Sequence, residues 1–302
     1  MVTVFTLDQA RAFVAVAEEL HFGRAADRLH MTQPPLSRQI QKLERALGVV
    51  LLLRESRGVR LTEAGRAFLD ECRHLVTKAE QAPRQARLIA AGEVGLLRLG
   101  YTAGSAFSIL GPLVASIREE LPGVAVELDE MVTARQLGDL RSGRIDIGLA
   151  RPPFDADEVE STLLLTEALM VAVPGDHPLA LRDAPISSSE LRGEPLIMHS
   201  PEQARYFRDL VTGLMDVRDD QISHTSSQVL TMVALVAAGQ GLALVPESAR
   251  RLGMAGVNIL PLRESPVDLV QLHAVWRGDS TNPALSTVLP LVRRLGEQAA
   301  KG

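Results

Sequence analysis

Residues 22–48 read FGRAADRLHMTQPPLSRQIQKLERALG, and this stretch decides the fold of the N-terminal region. Its apolar side chains recur at helical spacing in two groups, Phe22, Ala25, Ala26 and Leu29, then Leu36, Ile40, Leu43 and Leu47. Thr32 stands where an N-cap is expected, and Pro34 and Pro35 fall in a first helical turn, where no amide hydrogen is needed. The stretch therefore predicts two helices joined by a tight turn, with Gly48 ending the second.

A further helix is predicted ahead of these two, because the apolar residues Leu7, Ala10, Val14 and Ala17 also share one helical face. The outward face of the last helix carries cationic and hydrogen-bonding side chains and no acid: Gln33, Ser37, Arg38, Gln41 and Lys42. Three helices with such a face are typical of a helix-turn-helix, whose last helix enters the major groove of DNA. A packing module of three helices with an ordinary solvated face has the same periodicity, so the residues alone leave both interpretations open.

A small hairpin is predicted after the third helix, from residues 49–53 and 59–61 around a turn at residues 55–58. Such a wing presents Arg54, Arg57 and Arg60 to phosphates or to the minor groove. If the three helices bind DNA, residues 1–61 are the DNA-binding domain, in the form of a winged helix-turn-helix.

Residues 13–69 resemble the winged helix-turn-helix of the LysR-type transcriptional regulators. The resemblance is carried by residues 25–29, 32–40, 47–48 and 61–65 and by Arg54. It implies DNA contacts from the third helix, through Gln33, Pro34, Ser37, Arg38 and Gln41, and contacts to the backbone or minor groove from Arg54 and Arg57. One departure is Leu52, where the family usually has Phe, and this change affects packing under the wing and not the DNA-facing row.

Residues 62–92 are predicted to form a long linker helix. Apolar positions in it follow the alternating four- and three-residue steps of a helix that pairs with a second copy: Phe68, Cys72, Leu75, Ala79, Ala82, Ala86 and Ile89. An amphipathic helix packed on its own chain is the alternative, whereas the LysR-type resemblance implies a dimerisation arm. Pro83 predicts either a bend in this helix or its division into two. Cys72 is expected to be a small buried side chain and not a redox switch.

Residues 93–302 change to an alternation of strands and helices. Strands are expected at residues 96–101, 124–128, 145–150, 163–173, 196–199, 242–245 and 267–276, and helices at 105–120, 133–142, 204–214, 229–238 and 283–298. This alternation predicts parallel sheet covered by helices, with ligands bound beyond the carboxyl ends of the strands.

The same region resembles the α/β, two-lobed, periplasmic-binding-protein-like effector domain of LysR-type proteins. Residues 142–148, 176–179, 236–241 and 245–246 carry that resemblance. It implies an effector-binding domain over residues 93–302, with lobe I at about 93–165 and 268–302 and lobe II at about 166–267.

A ligand site is predicted in the cleft between the lobes. Two helices whose free N–H groups favour an anion are expected to begin beside Thr102, Ala103, Gly104, Ser105 and Thr133. Arg151 ends a strand at the expected cleft edge, where its guanidinium can hold a carboxylate by two hydrogen bonds. A structural arginine at the surface is the alternative for Arg151.

The predicted cleft is similar to that of the regulators of benzoate, catechol and chlorocatechol breakdown. This resemblance implies a dicarboxylate held by Thr133 and Arg151, with lobe II contributing Ser200, Tyr206 and Gln228. The sequence departs from that subgroup at residues 103 and 104, where serines are expected, and at residues 206 and 228, where an aromatic without a hydroxyl and an acid are usual. The predicted effector is a small carboxylate such as an aromatic acid or a muconate-like dicarboxylate, and the alternative is a non-acidic metabolite.

Charge and motif content narrow the functional class. The net charge of −5 conceals a basic head: residues 1–92 carry 14 Lys or Arg against 10 Asp or Glu, whereas the remainder carries 18 against 27. The single cysteine, Cys72, excludes an intrachain disulfide and a thiolate metal cluster. No GxSxG, P-loop, GxGxxG or HExxH motif is present, and His177 and His199 have no nucleophile or acid at an informative spacing. No catalytic residue, metal or cofactor is therefore expected.

The remaining expectations concern location and partners. The N-terminus lacks the pattern of a signal peptide, and the most apolar stretch, residues 229–245, falls short of a membrane span, so a cytoplasmic protein is expected. The predicted partners are double-stranded DNA at an interrupted inverted repeat near a promoter, RNA polymerase, a small-molecule effector and further copies of the chain. The family resemblance implies a dimer and a tetramer made of two dimers. An enzyme or a solute-binding transport component on the two-lobed fold is the alternative class.

Overall fold

The computed structural model describes residues 5–55, 58–155, 157–182 and 184–299. The chain divides into two compact units, Met1–Arg87 and Leu88–Gly302. Within the described ranges, no helix is both long enough and apolar enough to cross a membrane.

The first unit is built from helices and one hairpin. Its elements are, in chain order, α1 (Leu7–Glu19), α2 (Phe22–Arg28), α3 (Gln33–Leu47), β1 (Leu52–Glu55), β2 (Gly58–Leu61) and α4 (Glu63–Ala90). The three predicted N-terminal helices are confirmed. Thr32 occupies the N-cap position of α3, although its side chain makes no capping hydrogen bond. Gly48 ends α3 in the left-handed conformation with φ 72°, which a glycine adopts without a Cβ clash.

One apolar core holds the first unit together. Phe13 of α1 and the Leu36, Ile40 and Leu43 side chains of α3 are fully buried in it. Leu52, at the start of the hairpin, is buried in the same core, as its position under the wing predicts. Because each such side chain contributes roughly 1.5–3 kcal/mol on burial, this stripe determines which face α3 turns outward.

The hairpin begins later than predicted. Residues 49–51 are not part of a strand, and β1 starts at Leu52. The amides of Leu51 and Leu52 donate to the Glu44 carboxylate, at 2.8 and 3.1 Å, so this segment is tied to α3 and not to β2. β1 and β2 then pair antiparallel, with Arg54 opposite Val59. Arg57, a predicted DNA contact, lies outside the described residues.

The structure of the linker helix differs from the prediction in two ways. α4 runs through Pro83 as one helix of 28 residues, so its division into two helices is wrong. Phe68 and Cys72 pack into the core of the first unit, and these two of the seven predicted seam positions are therefore not free to pair with a second copy. Leu75 and Ile89, further along, are each 46% exposed. Burial raises the pKa of the Cys72 thiol to about 11, which agrees with the expected buried, unreactive side chain.

The second unit contains ten strands and six α-helices, counted over the described residues. In chain order they are β3 (Gly95–Tyr101), α5 (Ala103–Ala106), α6 (Leu110–Glu120), β4 (Val124–Glu130), α7 (Thr133–Arg141), β5 (Ile147–Ala150), β6 (Glu160–Glu167), β7 (Leu169–Pro174), β8 (Leu196–His199), α8 (Arg205–Leu214), β9 (Ile222–Ser226), α9 (Val229–Ala237), β10 (Ala243–Pro246), β11 (Val257–Pro261), β12 (Val270–Trp276) and α10 (Pro283–Ala299).

The first lobe is a five-stranded sheet in the order β4-β3-β5-β12-β6. β3 runs parallel to β4 and β5, whereas β12 is antiparallel to β5 and β6. The predicted parallel sheet is thus correct for three strands and wrong for the strand that returns from the second lobe. Leu99, Leu113 and Val288, from β3, α6 and α10, are fully buried in the core of this lobe.

The second lobe has two small sheets. β7 lies between β10 and β11 in an antiparallel sheet, and β8 pairs in parallel with β9. The sequence prediction missed β9 and β11 and merged β6 with β7. These two strands belong to different sheets, so the chain crosses from one lobe to the other at Ala168.

The predicted helix over residues 105–120 is divided in the structure. α5 ends at Ala106, and α6 begins at Leu110. Pro112 accounts for the break, since proline has no amide hydrogen for the carbonyl of Ser108 and its ring clashes with that carbonyl in a continuous helix. The turn that results, residues 107–109, places Phe107 outside both helices.

Candidate functional site

The exposed face of α3 is cationic and rich in hydrogen-bonding groups. Gln33, Pro34, Arg38 and Gln41 are exposed there, and Ser37 is half-buried. The acidic residue of α3, Glu44, accepts hydrogen bonds on its carboxylate from the backbone amides of Leu51 and Leu52. The five residues predicted on α3 to contact DNA therefore lie on one helix, on the side opposite the core.

The wing arginine Arg54 is held against two helices. Its Nη2 donates to the Ser37 hydroxyl oxygen at 2.9 Å, and its guanidinium lies 4.8 Å from the centre of the Phe22 ring at the start of α2. Arg60, on the opposite strand, donates to the Glu55 carboxylate at 3.1 Å. The Arg54 side chain therefore packs against α3 and the start of α2.

A cleft of about 600 Å³ lies in the second unit, within the size range of small-molecule sites. Its lining comes from both lobes and includes seven of the nine predicted effector residues: Thr102, Ala103, Gly104, Thr133, Arg151, Tyr206 and Gln228. The other two are placed elsewhere. Ser105 is fully buried and donates its hydroxyl hydrogen to the Thr102 carbonyl at 2.6 Å, and the Ser200 hydroxyl accepts from the Gln203 amide at 3.3 Å.

Four helices begin at this cleft. Their N-cap residues are Thr102 for α5, Val132 for α7, Ala204 for α8 and Gln228 for α9, all of which line it. None of the four N-caps makes a side-chain capping hydrogen bond. The Ser105 and Arg135 amides donate to the Thr102 and Val132 carbonyls at 2.8 and 3.0 Å. The remaining first-turn amide hydrogens are left for solvent or for a ligand, and the dipoles of the longer helices α7, α8 and α9 favour a negative charge there.

Arg151 lines the cleft but is buried, with 4% of its surface exposed, so only the surface placement in the alternative of a structural arginine is wrong. Its Nη1 donates to the Gln271 carbonyl at 2.9 Å and its Nη2 to Glu167 Oε1 at 3.4 Å. Its Nε is buried without a hydrogen-bond partner among the described residues. Burial pushes the pKa of Arg151 below its ordinary value, and the charge of Glu167 opposes that shift. The guanidinium nevertheless stays protonated, since arginine is not deprotonated in proteins.

A cluster of aromatic side chains packs against the Arg151 guanidinium. Arg151 lies 4.8 Å from the centre of the Phe207 ring, and His199 stacks on Phe207 with 4.9 Å between ring centres. Burial lowers the pKa of His199 to about 4, so the imidazole is neutral at pH 7 and makes a 2.8 Å hydrogen bond with the Leu244 carbonyl. Tyr206 packs edge-on against the same ring.

Three contacts join the two lobes around the cleft. The Gln271 amide of β12 donates to the Tyr206 hydroxyl at 2.6 Å, and the Ser248 amide donates to Glu167 Oε2 at 2.6 Å. Phe107, in the turn after α5, packs against an apolar cluster of the second lobe, and its carbonyl accepts from Arg251 Nη1 at 3.0 Å.

The rim of the cleft carries charges of both signs. Arg135 and Arg205 each pair with an acid one helical turn along their own helix. Glu130 and Glu202 form no ion pair within the described ranges. The described residues also contain no group of His, Cys, Asp and Glu suited to a metal ion.

Comparison with known families accounts for both units. A model described as "Bacterial regulatory helix-turn-helix protein, lysR family" matches residues 7–66, and one described as "LysR substrate binding domain" matches residues 90–297. The chain belongs to the LysR family of transcriptional regulators. It is a DNA-binding regulator with an effector-binding domain and not an enzyme, so the alternative classes of enzyme and transport component are excluded.

Individual relatives of this LysR-family regulator cover nearly its whole length. The HTH-type transcriptional regulator AlsR of Bacillus subtilis is 37% identical over 279 residues, 90% of each chain. The probable cat1 operon transcriptional activator of Acinetobacter lwoffii is 37% identical over 248 residues, 82% of each chain. Full-length CbnR in complex with its target DNA has a similar structure, with a TM-score of 0.81 at 29% identity over 97% of this chain and 100% of that one.

Sequence reasoning missed the residues that hold the LysR-family cleft together. Glu167, Phe207, Gln271, Phe107 and Arg251 were not singled out, because each acts on a partner distant in sequence. One signal was available: Glu167 lies two residues before the strongly apolar strand β7 and closely follows the apolar residues 163–165, and a buried acid needs a partner.

Proposed function

We propose that this LysR-family regulator senses a small carboxylate in the cleft of its effector domain, an aromatic acid or a muconate-like dicarboxylate. The observation that carries the proposal is the convergence on one cleft of the N-termini of α7, α8 and α9, none of which has a side-chain cap. Backbone amides at a helix N-terminus, together with the helix dipole, form a ready site for an anion.

Arg151 adds a fixed positive charge to that site. The Thr133 hydroxyl accepts from the Arg151 amide at 3.1 Å, which ties the end of β5 to the start of α7. The α5 backbone lies beside the guanidinium, since a Cβ on Gly104 would make an ordinary contact with Nη2 at 3.7 Å. The rings of Tyr206 and Phe207 supply an apolar wall for the body of the ligand.

A non-acidic effector is the second candidate, and the charges of the site favour it in one respect. The Arg151 charge is partly neutralised by Glu167 at 3.4 Å, and Glu130 and Glu202 add negative charge at the rim. A dianion therefore meets more repulsion here than a monoanion or a neutral ligand does.

The test is calorimetric titration of the full-length protein with benzoate and cis,cis-muconate, each compared with its amide. An acid held by helix N-termini and a guanidinium binds at least tenfold more tightly than its amide, because the amide lacks the charge that these groups stabilise. Equal binding of acid and amide contradicts the carboxylate proposal and supports the second candidate. Binding of neither acid, with binding of neutral metabolites, contradicts it as well.

We also propose that two copies pair through the later part of α4 and that two dimers form a tetramer on an interrupted inverted repeat near a promoter, where the protein contacts RNA polymerase. Leu75 and Ile89 are exposed apolar side chains on α4, and Ala82 and Ala86 are exposed between them. A pair of helices buries such a row and matches two DNA-binding units to a two-fold operator. The similarity to CbnR in complex with target DNA supports the DNA-binding part.

A further inference from the structure

Arg54 and Ser37 form a cross-element contact on the DNA-facing side of the first unit. Arg54 lies on β1 and Ser37 on α3, and the two side chains meet at 2.9 Å between Nη2 and Oγ. The Phe22 ring, itself buried, supports the guanidinium from the other side at 4.8 Å. The Arg54 side chain is therefore fixed by two elements besides its own.

The direction of this hydrogen bond follows from chemistry. A guanidinium has five N–H donors and no acceptor, whereas a serine hydroxyl has one hydrogen to donate and two lone pairs that accept. In the Arg54 contact the Ser37 oxygen must accept. Among the described residues, the Ser37 hydroxyl donates to no carbonyl or carboxylate, so its single hydrogen is left for a partner outside the chain.

We propose that Arg54 is a positioning residue that makes Ser37 a hydrogen-bond donor toward the major groove, so that Ser37 selects a base with a major-groove acceptor and discriminates against cytosine. Guanine N7 and O6, thymine O4 and adenine N7 accept such a hydrogen bond, whereas cytosine presents only the hydrogens of its amino group. The positive charge of Arg54 behind the hydroxyl strengthens its donor character and disfavours an amino group further. This inference rests on the proposed role of α3 as the recognition helix.

The alternative role for Arg54 is a direct contact with a phosphate, and the two roles have different consequences. Loss of a phosphate contact weakens binding to all sequences alike and lowers the salt dependence. Loss of a positioning contact changes which base is selected at one position of the half-site and leaves the other positions unchanged.

The experiment is selection of full-length protein variants on a randomised DNA duplex library, followed by affinity measurements at several salt concentrations. Ser37→Ala and Arg54→Ala are expected to relax the discrimination against cytosine at the same position, each by about fivefold to tenfold, the effect of one net hydrogen bond. The double variant is expected to match the single variants, because both remove one interaction. Arg54→Met retains an unbranched stem over Phe22 without a donor, so it tests the same point if Arg54→Ala is unstable.

Two controls separate the outcomes. Arg60→Ala removes an arginine from the opposite wing strand, which pairs with Glu55 and not with α3, and it is expected to leave base preference unchanged. Arg38→Ala tests α3 itself. If Arg38→Ala alters base preference and Arg54→Met does not, Arg54 is no positioning residue and the inference is overturned. If Ser37→Ala leaves the preference unchanged, the inference is overturned too. If Arg38→Ala also has no effect, the recognition-helix assignment fails with it.

Discussion

At the scale of single residues, the outward face of α3 and the position of Arg151 follow from local sequence, whereas the contact between Arg151 and Glu167 does not. The outward face of α3, with Arg38 and Gln41, was predicted because Leu36, Ile40 and Leu43 recur at helical spacing and must turn inward. Arg151 was predicted as a cleft residue from its place at a strand end. Its pairing with Glu167 was not, because these two residues come together only where the chain crosses between lobes.

His199 is a residue whose burial makes stability depend on pH. Its pKa is about 4 in the folded protein and about 6.5 when unfolded, so the unfolded state binds more protons between these values. Stability from the neutral imidazole is therefore complete above about pH 6.5 and is lost as the pH falls toward 4, by about 3 kcal/mol. Urea unfolding at pH 7 and pH 4.5 measures it. His199→Gln is expected to flatten this pH dependence and exposed His224→Gln to preserve it; equal slopes for both variants contradict the assignment.

At the scale of elements, the sequence predicted most helices and missed breaks and short polar strands. α1, α2 and α3 have strong apolar periodicity. β9 reads Ile-Ser-His-Thr-Ser and lacks it, because its backbone pairing with β8 supplies the order that side-chain burial does not. The first two positions of the predicted α4 seam, Phe68 and Cys72, were wrong for a related reason. Their spacing shows that they share a helix face, but it does not show whether the same chain or a second copy covers that face.

The turn between α5 and α6 is expected to depend on Arg251. Arg251→Ala removes the 3.0 Å hydrogen bond to the Phe107 carbonyl, so amide hydrogens of Ser105, Ser108 and Ile109 exchange faster by roughly fivefold to tenfold. Hydrogen–deuterium exchange with mass spectrometry measures this. Arg250→Ala, the neighbouring exposed arginine in the same 3₁₀ helix, is the matched control. Equal exchange in the two variants would show that Arg251 does not hold the turn.

The later part of α4 is expected to carry self-association. Leu75→Glu places a charge in the proposed seam and lowers the dimer or tetramer to smaller species, because an unpaired charge cannot be buried between two helices without a large cost. Sedimentation velocity measures the species, and circular dichroism confirms that the helices persist. Thr77→Glu is the matched control on another face of the helix. An unchanged assembly for Leu75→Glu contradicts pairing through this row.

At the scale of the whole molecule, family membership joins a DNA-binding unit to an effector-binding unit in one chain. A ligand alters DNA binding only to the extent that it binds two arrangements of the protein with different affinity. We propose that these arrangements differ in how the two lobes of the effector domain meet, since their cleft is lined from both sides and bridged by Tyr206, Ser248 and Phe107. The fold and the cleft were predictable from the sequence, whereas these bridges required the three-dimensional structure.

The central claim, that a carboxylate bound in the cleft changes how this regulator holds its DNA, is tested most directly by DNase I footprinting. Full-length protein is footprinted on the duplex it selects, with and without benzoate or cis,cis-muconate at a hundredfold excess over the calorimetric Kd, and with each amide as control. The account predicts a sequence-specific footprint whose extent or internal cleavage pattern changes with the acid and not with the amide. An identical footprint with and without an acid that binds the protein would contradict it.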